Sequence, residues 1–286
     1  MLENVRYPDF IIIGATKGGT SWIVANLQLQ EDVSIPMQPS AGVHYFSRNF
    51  ERGTDWYLKH FSGISDEIRF VGEKSASYLP HPDVPARLKE LLPHARLIAQ
   101  LRNPVDRAYS DYCMHFRRGQ ASGDIERYLD PDRTPIPRLL NDGRYHTHLT
   151  RYLDFFPPDQ VLVTIYEEME RDPAGVLRSI SRHVGVDDPV IPQDIGKRAK
   201  ARDTAMLPLG VRRLLGPMKG VVAPFRHTSA FKSARALLAK PNRYPPLTEP
   251  IRARLAAYFQ PETERLARLL GRDLDEWRRV DSSNAA

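Results

Sequence analysis

The sequence predicts an α/β protein, a single domain with a central parallel sheet flanked by helices. Three observations carry that prediction. Apolar runs of strand length alternate along the chain with stretches of helical periodicity. The first run, Asp9 to Gly14, is continuously apolar and ends in glycine, as a strand buried on both faces should read. The chain has 286 residues, 41% hydrophobic and 27% charged, which suits one substantial core and shows no internal repeat.

The elements follow in order. After the first strand, Thr20 to Gln30 reads as a helix. Phe70 to Gly72 reads as a second strand, and Val84 to Leu92 as a helix closed by Pro93. Ala95 to Leu101 is the third strand. Pro104 to Phe116 opens on a proline, a favoured first helical residue. Arg144 to Phe156 carries a one-sided apolar stripe at Tyr145, Leu149, Tyr152, Leu153 and Phe156. Val161 to Tyr166 is a fourth strand, and Ala174 to Val184 and Glu249 to Leu270 are helices. Two stretches, 119–142 and 187–242, are looser and rich in proline and glycine; they are expected to cover the active face.

Composition excludes several classes. No apolar run approaches the roughly 20 residues that a membrane span needs, and Phe10 to Ile13 is too short for a secretion signal. One cysteine, Cys113, cannot form an internal disulfide, so a cytoplasmic protein is expected. The formal charge is +6, but residues 196–245 hold twelve Lys or Arg against a single acid, Asp203. Such a skew favours an anionic partner. No zinc spacing, RRM motif or basic heptad helix accompanies it, so nucleic acid is not expected. His146 and His148 stand two apart on a helix and make a poor metal pair, leaving surface or cleft histidines as the reading. No metal is expected.

The sharpest motif is Gly14-Ala15-Thr16-Lys17-Gly18-Gly19-Thr20-Ser21-Trp22, which joins the first strand to its helix. Strand, glycine turn and helix start together make an anion site. Lys17 adds a mobile charge, and Thr20 and Ser21 add hydroxyls. In the nucleotide triphosphate loop the lysine follows the last glycine; here Thr20 stands there and the lysine precedes both glycines. The strand that should end in a metal-binding acid ends instead in Arg102-Asn103-Pro104. A loop for an anion without Mg²⁺ is the reading, and a nucleotide kinase or hydrolase is the less favoured one. Arg102, with Ser110 about two helical turns on, offers a second anion site.

Together these segments resemble the sulfotransferases that use 3′-phosphoadenosine 5′-phosphosulfate (PAPS), in particular the bacterial relatives of the heparan sulfate N- and 3-O-sulfotransferases. FIIIGATKGGTSW resembles their 5′-phosphosulfate loop, VHYFS with WYLKHF a substrate-side segment, GEKSASYL the EK[ST]xxY element, and LRNPVDRAYSDY the 3′-phosphate motif. GRYHTHLTRYLDFFPPDQVLVTIYEEM resembles the helix and strand that follow, and KPNRYPPL, more loosely, a late basic loop. The resemblance implies a P-loop-kinase-like sulfotransferase fold, spanning residues 1–286 with 196–245 over the cleft. It also implies sulfuryl transfer from PAPS to an acceptor hydroxyl, or an amine, leaving 3′-phosphoadenosine 5′-phosphate (PAP). Lys17, Gly18, Gly19, Thr20 and Ser21 would hold the 5′-phosphosulfate, and Arg102 and Ser110 the 3′-phosphate. Lys240, Asn242, Arg243 and Tyr244 would close over the donor, with Phe225 as a nearby aromatic. The acceptor would be a small or medium-sized molecule such as a natural product, lipid or saccharide. Nothing in the sequence speaks to oligomeric state.

The pattern departs from the family at one place. Relatives read Lys-Glu before this histidine segment, the glutamate being the base; here Ala41 and Gly42 stand in those positions. His44 becomes the candidate base. Glu73 follows, either as base or as an orienting group, beside Lys74, which matches a lysine near the sulfuryl group. A catalytically weakened protein that binds PAP, PAPS or another polyanion is the alternative, and glutamate at Gly42 is the natural gain-of-function substitution.

Overall fold

The computed structural model describes residues 5–36, 42–196 and 243–277. Five strands form one parallel sheet: β1 (Phe10–Gly14), β2 (Val33–Ser34), β3 (Phe70–Lys74), β4 (Arg96–Leu101) and β5 (Val161–Ile165), in the order β2-β3-β1-β4-β5. Four of these match the sequence reading. β2 is only two residues long, too short for periodicity to register. β3 runs two residues further than expected, through Glu73 and Lys74, because charged side chains at its end conceal the strand pattern. β5 stops at Ile165, and Tyr166 starts a helix.

The helices are α1 (Thr20–Leu27), α2 (Thr54–Leu58), α3 (Val84–Leu91), α4 (Pro104–Arg117), α5 (Ile125–Tyr128), α6 (Arg138–Asn141), α7 (Tyr145–Leu153), α8 (Tyr166–Arg171), α9 (Pro173–Val184) and α10 (Glu249–Leu270). The looser stretch 119–142 thus contains two one-turn helices that sequence periodicity cannot reveal.

Alternation along β1 explains the layers. Phe10 and Ile12 face α1 and α9, meeting Val24, Leu27, Leu177 and Ile180. Ile11 and Ile13 face the other way, onto Tyr57, Leu88, Leu149 and Tyr152 from α2, α3 and α7. Both faces are covered, as a parallel sheet requires. A third cluster joins α4, α5, α6 and α10 through Tyr112, Leu139, Leu255 and Phe259. Glu262 of α10 accepts from the Thr147 amide and hydroxyl at 3.1 and 2.7 Å, capping the first turn of α7. No helix among the described residues is long and apolar enough to cross a membrane.

The strand order has a consequence for function. β1 leads towards β2 and β3, whereas β4 leads the opposite way to β5. A crevice therefore opens at the carboxyl ends of β1 and β4, where such sheets bind ligands. The glycine turn leaves β1 at that edge, and Arg102 leaves β4 beside it.

Candidate active site

The glycine turn is held from the neighbouring strand. The Ala15 amide donates to the Gln100 carbonyl at 2.8 Å, and the Gln100 side-chain amide donates to the Gly18 carbonyl at 2.7 Å. Gln100 is itself fully buried. A side chain at Gly18 would place its Cβ 2.3 Å from the Gln100 carbonyl oxygen. At Gly19 it would meet the Gln100 amide at 2.5 Å and the Tyr166 ring at 2.9 Å, with φ at +92° as well. Both positions need glycine for reasons of space, and Gly19 also for conformation. Lys17 sits at φ +70° on the same turn, half-buried. Thr20, buried, and Ser21, half-buried, open α1, whose first turn has no side-chain cap. Trp22 is in the core, its indole donating to the Ile195 carbonyl at 2.7 Å.

Arg102 follows β4, the strand paired with β1 beside this turn. Its guanidinium stacks on Tyr166, 4.5 Å from the ring centroid. Its Nε is buried and has no hydrogen-bond partner among the described residues. A buried guanidinium nitrogen without an acceptor is costly and marks a place for an anion. Its backbone is fixed: the Tyr145 hydroxyl donates to the Arg102 carbonyl at 2.9 Å, and the Asn103 amide donates to Glu167 at 2.9 Å. Asn103 caps α4, and Ser110 lies buried further along that helix. Tyr244 packs edge-on against Phe116 of α4, and the Tyr109 hydroxyl donates to the Pro245 carbonyl at 3.1 Å. This returns Tyr244, with exposed Arg243 beside it, to the helix that carries Ser110. Phe225, Lys240 and Asn242 lie outside the described residues, as does Ala41.

The third part is built on the end of β3. His44 takes φ +54°, its amide donating to Ser75 Oγ at 2.9 Å and its Nδ1 within 2.8 Å of Ser77 Oγ. Burial, then the Arg48 and Lys74 charges, push its pKa down to about 4. A Cβ on Gly42 would stand 3.0 Å from His44 Nε2 and 2.8 Å from the Lys74 carbonyl. Gly42, His44 and Lys74 therefore converge. Glu73 points elsewhere. It is fully enclosed, accepting from the Tyr57 hydroxyl at 2.8 Å and from the Ser75 hydroxyl at 2.6 Å. Burial raises its pKa against the lowering effect of the Ser75, Tyr78 and Tyr57 hydroxyls. Of its two expected roles, orientation suits that enclosure; contact with an acceptor does not.

The other candidates resolve simply. Cys113 is a buried thiol. His148 is not a cleft residue: it is 5% exposed, its Nε2 bonds the Asn141 carbonyl at 2.7 Å, and its Nδ1 lies 2.7 Å from Arg151. Sequence reading missed Gln100, Tyr166, Ser75 and Ser77. Gln100 carried a usable signal, a lone amide inside an apolar strand.

Two anion-ready groups thus flank one crevice, with an imidazole and a lysine beside it. The family model of the sulfotransferase domain matches residues 7–202. The chain belongs to the sulfotransferase family. A human bifunctional heparan sulfate N-deacetylase/N-sulfotransferase 3 is 28% identical over 302 residues, covering 96% of this chain and 32% of that protein. The human bifunctional enzyme 2 is 35% identical over 201 residues, covering 63% of this chain and 22% of its own length. The chain spans about a third or less of these relatives. Among solved structures, a sulfotransferase from Alicyclobacillus acidocaldarius superposes with a TM-score of 0.71 at 28% identity, covering 96% of this chain and all of that one. The fold is that of the P-loop-like sulfotransferases.

Proposed function

We propose that the chain moves a sulfuryl group from PAPS to an acceptor hydroxyl, with an amine as the other acceptor class, and needs no metal. The observation that carries this reading is the orphaned Arg102 Nε at the end of β4, on the same Tyr166 ring that stands against the glycine turn leaving β1. A donor with phosphate at both the 3′ and 5′ positions fits two anion sites; ATP fits one.

When bound, PAPS supplies the sulfuryl group and leaves as PAP. Lys17 would hold the 5′-phosphosulfate and neutralise charge on the oxygen left behind, where a fixed cation is worth most. Gly18 and Gly19 let the turn pack directly against Gln100 and Tyr166, and Thr20 and Ser21 would add hydroxyl donors. Arg102 and Ser110 would hold the 3′-phosphate, and Arg243 and Tyr244, with Phe225, Lys240 and Asn242, would close over the donor. Residues 1–286 would then act as one catalytic unit, with 196–245 over the cleft.

His44 is the base in this reading. With Nδ1–H donated to Ser77, Nε2 keeps the lone pair that takes the acceptor proton. A pKa of about 4 keeps the ring neutral. The Arg48 and Lys74 charges that depress it would be met by the donor's anion, so the imidazole gains basicity when the donor is in place. Glu73 orients, and Lys74 stands near the sulfuryl group.

The relatives' names point to heparan sulfate, so de-N-sulfated heparan sulfate is the first acceptor to try. A cytoplasmic, bacterial enzyme acting on a natural product, lipid or saccharide remains the wider frame. The deciding experiment is calorimetric titration with PAP, AMP and ATP·Mg²⁺. Tight PAP binding with weak AMP binding is expected; ATP·Mg²⁺ binding as tight as PAP overturns the reading in favour of a nucleotide hydrolase. Gly42 favours a second reading, a PAP-binding protein without turnover, and any sulfated product removes it.

A further inference from the structure

The hydrogen bonds around His44 run in one direction. Ser75 has a single hydroxyl proton, and it goes to Glu73 Oε1 at 2.6 Å, a length typical of a hydroxyl on a carboxylate. The oxygen that receives the His44 amide at 2.9 Å is therefore an acceptor. Tyr57 donates to the other carboxylate oxygen at 2.8 Å, and the Tyr78 hydroxyl also bonds the carboxylate. Tyr57, Glu73 and Ser75 are all fully buried, so water does not compete for any of these bonds.

The other side of the same residue is also tied down. The His44 carbonyl accepts from the Arg48 and Asn49 amides at 2.9 and 3.1 Å. Between these anchors the backbone sits in the left-handed region at φ +54°, where a side chain other than glycine is strained. Such a conformation persists only where the surroundings enforce it. Here the enforcement at the amide comes from Ser75, which directly follows β3, and through it from Glu73 at the end of that strand.

We propose that Glu73 is a positioning residue which, through Ser75, pins the left-handed backbone of His44 and so keeps its imidazole aimed beside Gly42 and Lys74. The carboxylate is what fixes the direction of the chain. A glutamine in its place presents N–H groups to hydroxyls that now donate, so at least one of them must turn, and a Ser75 hydroxyl turned towards His44 would set donor against donor. This inference rests on His44 being the base, but it concerns how the residue is held.

The test is histidine-selective NMR on the full chain, titrated with pH, for wild type, Ser75→Ala and Glu73→Gln. His44→Gln assigns the signal, and calorimetric PAP affinity reports that the donor site is intact. In wild type the His44 ring should titrate near its depressed value of about 4. In both variants the released ring should leave the buried site beside Arg48 and Lys74, and its titration should move up by a unit or more. PAP affinity should stay within twofold. An unmoved His44 titration in variants that bind PAP normally overturns the anchor. If Glu73→Gln does not fold, Ser75→Ala decides alone. Failure of the base reading looks different: His44→Ala would then transfer sulfuryl groups at the wild-type rate, whatever the titration shows.

Discussion

One face of the Tyr166 ring lies under the Arg102 guanidinium, and the same ring stands against Gly19 of the glycine turn. A single side chain thus spaces the two candidate anion sites. Arg102→Ala should erase the preference for PAP over AMP, because the 3′-phosphate loses its guanidinium. Tyr166→Ala keeps the arginine but frees it to leave the crevice; PAP affinity should fall roughly tenfold to a hundredfold, as loss of a desolvated cation–π contact and of preorganisation implies. Tyr166→Phe keeps the ring and should lose less than Tyr166→Ala. Calorimetry with PAP and AMP checks all three, and undiminished discrimination in Arg102→Ala would remove the 3′-phosphate assignment.

Gly42 stands where the resemblance leads one to expect the catalytic glutamate, and the structure argues against simply restoring it. Any Cβ there meets the Lys74 carbonyl at 2.8 Å, backbone that cannot swing aside. Gly42→Ala should destabilise the fold by about 1–3 kcal/mol, the usual range for overpacking. Gly42→Glu should do no better and should not raise turnover. Urea midpoints and initial rates test this; a stable, faster Gly42→Glu enzyme would show that β3 can yield at Lys74.

The fold was legible because a parallel sheet covered on both faces writes itself as apolar runs, and Phe10 to Ile13 is such a run. The anion turn was legible because glycine and lysine spacing is local. The rest depended on contacts between distant segments. Ser75 reads as an ordinary polar residue until His44, 31 residues away, donates to it. Glu73 looks like an acid available to a substrate until Tyr57 and Ser75 enclose it. Tyr166 reads as the end of a strand, and only the packing of β4 against β5 sets its ring under Arg102.

Behind Arg102 and Ser110, α4 is tied to α6 by buried charge. Asp111 and Arg107 are both fully buried, 3.6 Å apart, and Arg138 lies 3.4 Å from the same carboxylate oxygen. Arg107 also donates to the Leu139 carbonyl. Asp111→Ala leaves Arg107 buried without its counter-charge and should cost about 3–5 kcal/mol. Replacing both, Arg107→Met with Asp111→Leu, should recover much of that loss. Urea unfolding of the single and double variants measures it, and a double variant as unstable as the single one would show that packing rather than charge sets the cost.

His148 should make the fold acid-sensitive. Burial is the main cause of its low pKa, with Arg151 and Arg144 adding to it, and the value falls from 6.5 to about 4. Both ring nitrogens are engaged, Nε2 towards the Asn141 carbonyl and Nδ1 towards Arg151, so a second proton has no acceptor to face. Below pH 6.5 the unfolded chain takes up a proton here that the folded chain refuses until about pH 4. The unfolded state therefore binds more protons throughout that window, and stability must fall as pH drops through it. This residue's contribution is complete above pH 6.5 and gone below pH 4, a loss of about 3 kcal/mol at most. His44 shifts the same way and adds to the slope. His148→Gln removes one of the protons taken up in this window, so its urea midpoint should depend on pH less steeply than wild type between 6.5 and 4, even though its stability at neutral pH is lower. An equal slope in the two proteins would mean that His148 already takes its proton in the folded state, which the Arg151 contact at Nδ1 argues against.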